Sequence, residues 1–226
     1  MKKFMIFLLA VFFLFSCSSF IYYPNGVRHS LIERKKEMQF SAAVKGLGVD
    51  LRSAFALSDH VGFQLNANAV NITNTELGTR YWNGNYYGEV AVGIFTSLRP
   101  WLVIEGYLGT GSGISYSKDL DINSLRTTNY NKLYLQQDIG LRTRYIDFGF
   151  ALREAFVDAW KTRIDGIDQE ERAMDMFIEP LVFLAVGFEK FKINAQAGLS
   201  YSQFNGINMY APFIFSVGLE SRLFKR

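Results

Sequence analysis

Charged side chains in this chain fall at alternate positions of otherwise apolar runs. Asp50 and Arg52 stand two apart, as do Arg142 and Arg144, and Glu89, Glu105, Asp138, Arg153, Glu179, Lys192 and Glu220 each hold the polar phase of such a run. Both signs are represented, which suits ion pairing in a confined space better than a reaction. Residues able to do acid–base or covalent work are scarce. There are two histidines, His29 and His60, and His60 follows Asp59 in a short polar stretch where it most simply serves the turn itself. Gly109-Thr110-Gly111-Ser112-Gly113 lacks the lysine and spacing of a phosphate loop, Ser112 stands in no nucleophile elbow, and the run is expected to loosen the top of a strand. Asp165, Asp168, Glu170, Glu171 and Asp175 do not have EF-hand spacing and read as an acidic, solvated loop. No catalytic residue, metal or cofactor is expected.

The elements that must position these charges are strands. From Val49 to Leu57 and again from Val61 to Ala69, apolar and polar or small residues alternate, with only Ser58-Asp59-His60 between the two runs. Period two on both sides of a three-residue turn describes an antiparallel hairpin with one apolar and one polar face. The unit repeats: strands are expected at 37–44, 86–95, 101–109, 132–144, 148–156, 176–188, 191–201 and 210–224. The predicted fold is all-β, a closed antiparallel up-and-down transmembrane barrel of about ten strands, with eight as the alternative. A net charge of +3 over 226 residues marks no nucleic-acid surface. Beyond the N-terminus no apolar run reaches the length of a membrane helix.

That N-terminus has its own pattern. Lys2 and Lys3 precede an apolar core from Phe4 to Phe15, and Leu14-Phe15-Ser16-Cys17 resembles a lipobox, in which cleavage leaves the cysteine as a lipidated, palmitate-bearing N-terminus. A lone thiol has no intramolecular partner, which favours lipidation over a disulfide. Residues 1–16 therefore read as a lipoprotein signal peptide, 17–36 as a lipidated periplasmic tether and 37–226 as the barrel. In the tether, Tyr22-Tyr23-Pro24-Asn25-Gly26 is turn-forming and Glu33-Arg34-Lys35-Lys36 is a solvated approach to the first strand; the alternative is that its aromatics tuck into the barrel mouth.

The connections alternate in length. Short ones are expected at 58–60, 96–100, 145–147 and 189–190, and long polar ones at 71–85, 110–131, 157–175 and 202–209, with Lys45 to Gly48 breaking the pattern. Tight turns on one rim and long loops on the other mark outer-membrane barrels. Placing both chain ends on the short-turn rim puts Cys17 in the periplasmic leaflet, and Ser18 and Ser19 carry no acidic surface-export signal. A soluble lipocalin-like barrel would show the same alternation turned inside out, but the polar phase here mixes charges of both signs with Gly62, Gly88, Gly140 and Gly198, as a narrow lumen would. Tyr86, Trp101, Tyr145, Tyr201 and Tyr210 fall near strand ends, as girdle aromatics do. Glu154 shares the apolar phase with Leu152 and Phe156 and is expected above the bilayer or after a bulge.

Glu37-Met38-Gln39-Phe40-Ser41, the run from Gly48 to Gly62, Tyr23-Pro24-Asn25 and Gly106-Tyr107-Leu108-Gly109-Thr110-Gly111 resemble small outer-membrane β-barrel lipoproteins common in Bacteroidota-type bacteria. The resemblance implies the fold and an outer-membrane location, with membrane lipids and the barrel-assembly machinery as partners. It transfers no catalytic residue, and the ending Leu223-Phe224-Lys225-Arg226 lacks the usual terminal aromatic. Barrel proteases and acyltransferases place a histidine at the outer rim, which His29 and His60 are not expected to reach. Three roles remain: a non-enzymatic barrel that supports the envelope or binds through its loops, a narrow channel, or a soluble barrel around an apolar ligand. Tyr81, Trp82, Tyr86 and Tyr87, around Asn83-Gly84-Asn85, are the outward binding candidates, with girdle aromatics as the plainer reading.

Overall fold

The structure, a computed structural model, describes residues 22–45, 48–76, 78–170, 172–207 and 210–224, so the readings placed on residues 1–21, lipidation of Cys17 among them, lie outside it. Twelve strands follow in order: β1 (Glu37–Lys45), β2 (Gly48–Ala56), β3 (Val61–Glu76), β4 (Thr79–Arg99), β5 (Leu102–Asp119), β6 (Leu125–Arg142), β7 (Ile146–Ile164), β8 (Ile167–Gln169), β9 (Ala173–Phe188), β10 (Phe191–Leu199), β11 (Tyr201–Ser202) and β12 (Phe213–Phe224). Ten of them close a ring. Each pairs antiparallel with its neighbour from β1 to β7, β7 pairs with β9, and β9, β10 and β12 lead back to β1. β8 and β11 are short additions on β7 and β9. Closure leaves no unpaired edge among the ten, which is what a sheet crossing hydrocarbon requires. The ten-strand expectation is therefore the one that forms.

The two phases of each strand take opposite sides of the ring. Phe40, Leu51, Leu65, Val92, Leu108, Leu135, Phe150, Leu184, Ile193 and Phe215, one from each ring strand, point outward and are exposed. Their inward neighbours Gln39, Arg52, Gln64, Glu89, Glu105, Gln136, Arg153, Glu179, Gln196 and Glu220 are buried. Glu154 remains an outward, half-buried exception in register with Leu135 and Ile178, and no bulge displaces it, because the single register shift between β6 and β7 lies higher, at Asn129/Tyr130.

The strands are unequal. β1, β2 and β10 have 9 residues, while β3 has 16, β5 and β6 have 18, β7 has 19 and β4 has 21. β4 is more than twice as long as β1, so one side of the barrel continues as a tall wall. Most of what the sequence suggested as polar loops at 71–85, 110–131 and 157–175 is this wall. There the ladder continues after the regular apolar alternation has ended, with Ser115, Thr128 and Thr162 buried on its inward phase.

The largest departure is the supposed tether. Residues 24–32 are fully buried, and the segment from Tyr22 runs down the inside of the ring. It turns at the short-turn rim, where Glu37 N donates to Arg34 O (3.3 Å) and Lys36 takes φ 65°, and then enters β1. Its upper end, Tyr22, forms a parallel bridge with Tyr210, just before β12 begins at Phe213. Residues 24–32 are thus not solvated, whereas Arg34, Lys35 and Lys36 are exposed as expected of the approach to β1, and Tyr22 lies at the rim opposite the one where β12 ends. The backbone polar groups of an extended tether were the missed signal: in a polar lumen they become hydrogen-bonding partners.

Three of the glycines of β5 are explained by their neighbours rather than by flexibility. A Cβ at Gly109, Gly111 or Gly113 would lie 2.3 Å, 2.2 Å or 2.5 Å from the ring or hydroxyl of Tyr134, Tyr87 or Tyr130. Three inward tyrosines lie flat over three bare backbones, so the run packs the lumen wall instead of loosening it. At Gly111 the Cβ would also press on Gly88 O. Gly111→Ala is therefore expected to destabilise the barrel by about 1–3 kcal/mol, lowering the temperature at which the detergent-folded chain loses its compact mobility on a gel. Gly106→Ala, whose Cβ would meet nothing within 4 Å, should leave that temperature unchanged.

Candidate functional site: the filled lumen

The inward side chains form a continuous polar interior built around residues 22–33. Near the upper end, Glu89 is the centre. It accepts from Asn66 Nδ2 (2.7 Å), Tyr87 OH (2.9 Å) and Asn25 Nδ2 (3.0 Å), and is paired with Lys132 Nζ (3.1 Å) and Arg153 Nη2 (3.3 Å). Lys132 and Arg153 also donate to Asn25 Oδ1, at 2.8 Å and 3.0 Å. Lys132 Nζ lies 4.6 Å and 5.2 Å from the ring centres of Tyr87 and Tyr134, within cation–π range. Tyr22 donates to Glu179 (2.9 Å) and packs 4.6 Å from Phe177.

Lower down, Arg28 Nη1 pairs with Glu220 Oε2 (3.2 Å), Glu220 Oε1 with Arg222 (2.8 Å), and Arg222 reaches Asp147, which also holds Lys192 Nζ (2.6 Å). Arg52 joins Asp50 (3.2 Å) to Ser216 Oγ (2.9 Å), and Arg142 joins Glu37 (2.8 Å) to Glu33 (3.4 Å). Charges removed from water are retained only with partners of this kind.

The wall holds the inner segment largely by its backbone. Carbonyl oxygens accept from wall side chains: Pro24 from Lys45, Val27 from Arg52 and Gln196, Arg28 from Gln64 and Gln136, and Leu31 from Arg142. Amides donate to wall carboxylates: Gly26 to Asp50 (3.2 Å), and Ser30 and Ile32 to Glu105 (3.1 and 2.7 Å). These contacts stand in for a ladder that the segment does not have.

Of the charges expected in the lumen, Asp50, Arg52, Glu89, Glu105, Asp138, Arg142, Arg153, Glu179, Lys192 and Glu220 are there and buried. Arg144 is not. It lies exposed in the β6–β7 turn, 5.3 Å from the Tyr145 ring, because the strand ends at Arg142. Sequence reasoning missed Arg28, Glu37, Lys45, Lys132, Asp147 and Arg222. Strand parity already placed Glu37 on the polar face, whereas Arg28 carried no strand signal. His29 is buried with its ring stacked 3.7 Å from Phe183 and Nδ1 3.1 Å from Gln196 Nε2, while His60 sits in an exposed turn capped by Ser58 Oγ. A lipocalin-like cavity for an apolar ligand does not fit this interior.

The outward aromatic candidates divide. Trp82 and Tyr86 are exposed and flank Tyr116, with ring centres 4.7 Å and 5.8 Å away, and Tyr116 donates to Asn71. Tyr87 instead lies in the lumen, stacked 5.8 Å from Tyr130, and Tyr81 is half-buried on the same inward phase. The acidic stretch is also dispersed. Asp165 caps the β5–β6 turn through Leu125 N (2.7 Å), and Asp175 takes the amides of Phe204 and Ile207, at 3.0 Å and 3.1 Å. Asp168 accepts from Arg163 and pairs with Lys161 (3.1 Å); Arg163 and Lys161 hold its carboxyl below the ordinary range. That pairing persists above the ordinary carboxylate range and is lost as pH falls through the lowered value. Among the described residues no group of three or more His, Cys, Asp or Glu is placed to hold a metal.

No family model matches the chain, and no curated protein is similar to it in sequence. Among solved structures it is similar to Acinetobacter baumannii CarO, at 12% identity and a TM-score of 0.28 over 86% of this chain and 99% of that one. A likeness so slight adds nothing to the barrel that the strand registers define.

Removing the central carboxylate should test the network directly. Glu89→Gln leaves Lys132 and Arg153 without their shared anion and is expected to cost about 3–5 kcal/mol, read as a lower unfolding temperature in detergent. Asp168→Asn, at a fully exposed pair, should leave that temperature unchanged.

Proposed function

We propose that the chain is an outer-membrane β-barrel lipoprotein without catalytic activity, which contributes to the envelope and presents its tall hairpins for binding. The supporting observation is the distribution of polarity: apolar side chains cover the outside of the closed ring, with Glu154 the exception among its central ladder positions, and the charged side chains that are exposed lie in turns, at strand ends and on the tall hairpins. In water such a belt would far exceed the few hundred Å² of apolar patch that monomers tolerate. In lipid it is the required exterior. Membrane lipids and the barrel-assembly machinery are the partners this reading implies, with Cys17 as the lipidated residue.

The long β3–β4 and β4–β5 pairings carry Trp82 seventeen residues beyond Arg99, the short-turn end of β4. A crossing takes about 9–11 residues, so Trp82 stands clear of the bilayer. That height favours a binding surface formed with Tyr86 and Tyr116 over a girdle. A narrow channel is less well supported, because residues 22–32 occupy the bore it would use.

Residues 18–226, made without leader or lipid, should form a β-rich species in detergent micelles but not in buffer, with a gel mobility that shifts on boiling. Folding in plain buffer with no shift would contradict a membrane barrel. Cys17→Ser should abolish incorporation of labelled palmitate in cells.

A further inference from the structure

The inner segment has a direction, and the direction has a consequence for the rest of the chain. It meets β1 at the short-turn rim and leaves the described structure at Tyr22, at the other rim, where Tyr22 O accepts from Ala211 N (3.2 Å) beside the start of β12. Between these ends the chain is fixed at successive depths by Asp50 at Gly26, Glu220 at Arg28 and Glu105 at Ser30 and Ile32. The rim of Tyr22 is also the rim of the tall hairpins, where Asp119 N closes on Ser124 O (2.8 Å) and Asp165 caps Leu125. The short-turn rim carries Ser58 to His60 and the end of β12.

We propose that the barrel threads its own N-terminal segment, delivering the residues before Tyr22 to the outer face of the membrane, so that a lipid on Cys17 lies in the outer leaflet. The lipid clause rests on the lipoprotein reading above; the display of the N-terminal end requires only that the barrel spans the membrane. Tyr22 is five steps along the chain from Cys17, and at about 3.6 Å each they reach at most about 18 Å. The apolar band of such a barrel is about 25 Å tall, so the chain is too short to return across it. Two return routes are closed as well. The lumen is already filled by residues 22–32, and outside the wall an extended chain would leave its amides and carbonyls unpaired in hydrocarbon. The periplasmic anchor expected from the sequence assumed that both ends share one rim, whereas Tyr22 and the end of β12 lie at opposite rims. Threading also keeps the bore occupied for as long as the lipid holds the end outside.

The test uses the full chain in cells, with a membrane-impermeant maleimide as the probe. In a Cys17→Ser background, single cysteines are introduced by Ser18→Cys, by Asn123→Cys in the β5–β6 turn and by His60→Cys in the short β2–β3 turn. For a barrel oriented by its tall hairpins, Ser18→Cys should label in intact cells to within about twofold of Asn123→Cys and at least about tenfold above His60→Cys. Labelling of Ser18→Cys only after permeabilisation, while Asn123→Cys still labels in intact cells, overturns the proposal and leaves the membrane barrel standing. A chain missing from the membrane fraction, or showing no mobility shift on boiling, overturns the membrane reading and this proposal with it. If a cysteine so near the processing site blocks export, an epitope inserted between Ser19 and Phe20 of the otherwise unaltered chain, with Cys17 retained, gives the same readout through antibody binding to intact cells. Binding confined to permeabilised cells overturns the proposal there too.

Discussion

Everything in this molecule depends on how charge taken out of water is compensated. A carboxylate or guanidinium taken out of water costs several kcal/mol unless another charge or several hydrogen bonds replace its hydration. Ten strands that each present polar residues to one side can meet that cost only by closing, so that the groups find one another across a shared interior. Glu89 shows how complete the compensation is. Its two oxygens meet Asn66, Tyr87, Asn25, Lys132 and Arg153, from four wall strands and the inner segment. The outward phase is left with Leu, Val, Ile and Phe, the exterior that the proposed bilayer setting calls for.

The wall alone does not complete this interior. Arg28 supplies the cation beside Glu220, and the amides of Ser30 and Ile32 fill the oxygens of Glu105. In return Lys45, Arg52, Gln64, Gln136, Arg142 and Gln196 take up the segment's carbonyls. A ring of ten strands is wider than one filled by its own side chains, and here the difference is made up by a strand-like chain that belongs to no sheet. The inner segment is therefore as much a part of the core as β1.

How far this was legible in the sequence follows from where apolar alternation exists. Between Val49 and Ala69 the hairpin, its turn and both faces could be read directly, and the same parity placed Asp50, Glu89, Asp138 and Glu220 inside. Parity failed where no strand signal was present or where a strand had already ended. Arg144 follows the last ladder residue of β6 and swings outward, and Tyr87 was grouped with Trp82 by proximity although odd and even positions face opposite ways. The upper wall was hidden for a related reason: Asn83, Ser115 and Thr128 continue the inward phase of the ladder with small polar residues, and no regular apolar alternation marks it. Least legible was Tyr22 to Ile32, because a chain held by its backbone leaves little trace in its choice of side chains. The glycine run of β5 is visible in the sequence but its cause is not, since the tyrosines that need those bare backbones come from β4 and β6.

The central claim is that residues 22–32 lie in the lumen, and amide hydrogen exchange of the detergent-folded chain tests it most directly. Gly26, Ser30 and Ile32 donate to buried carboxylates, so this peptide should exchange as slowly as β1 and orders of magnitude more slowly than the exposed turn at Ser58 to His60. Exchange of residues 22–32 at the rate of that turn, in a barrel whose strands remain protected, would place the segment outside the ring and contradict the account.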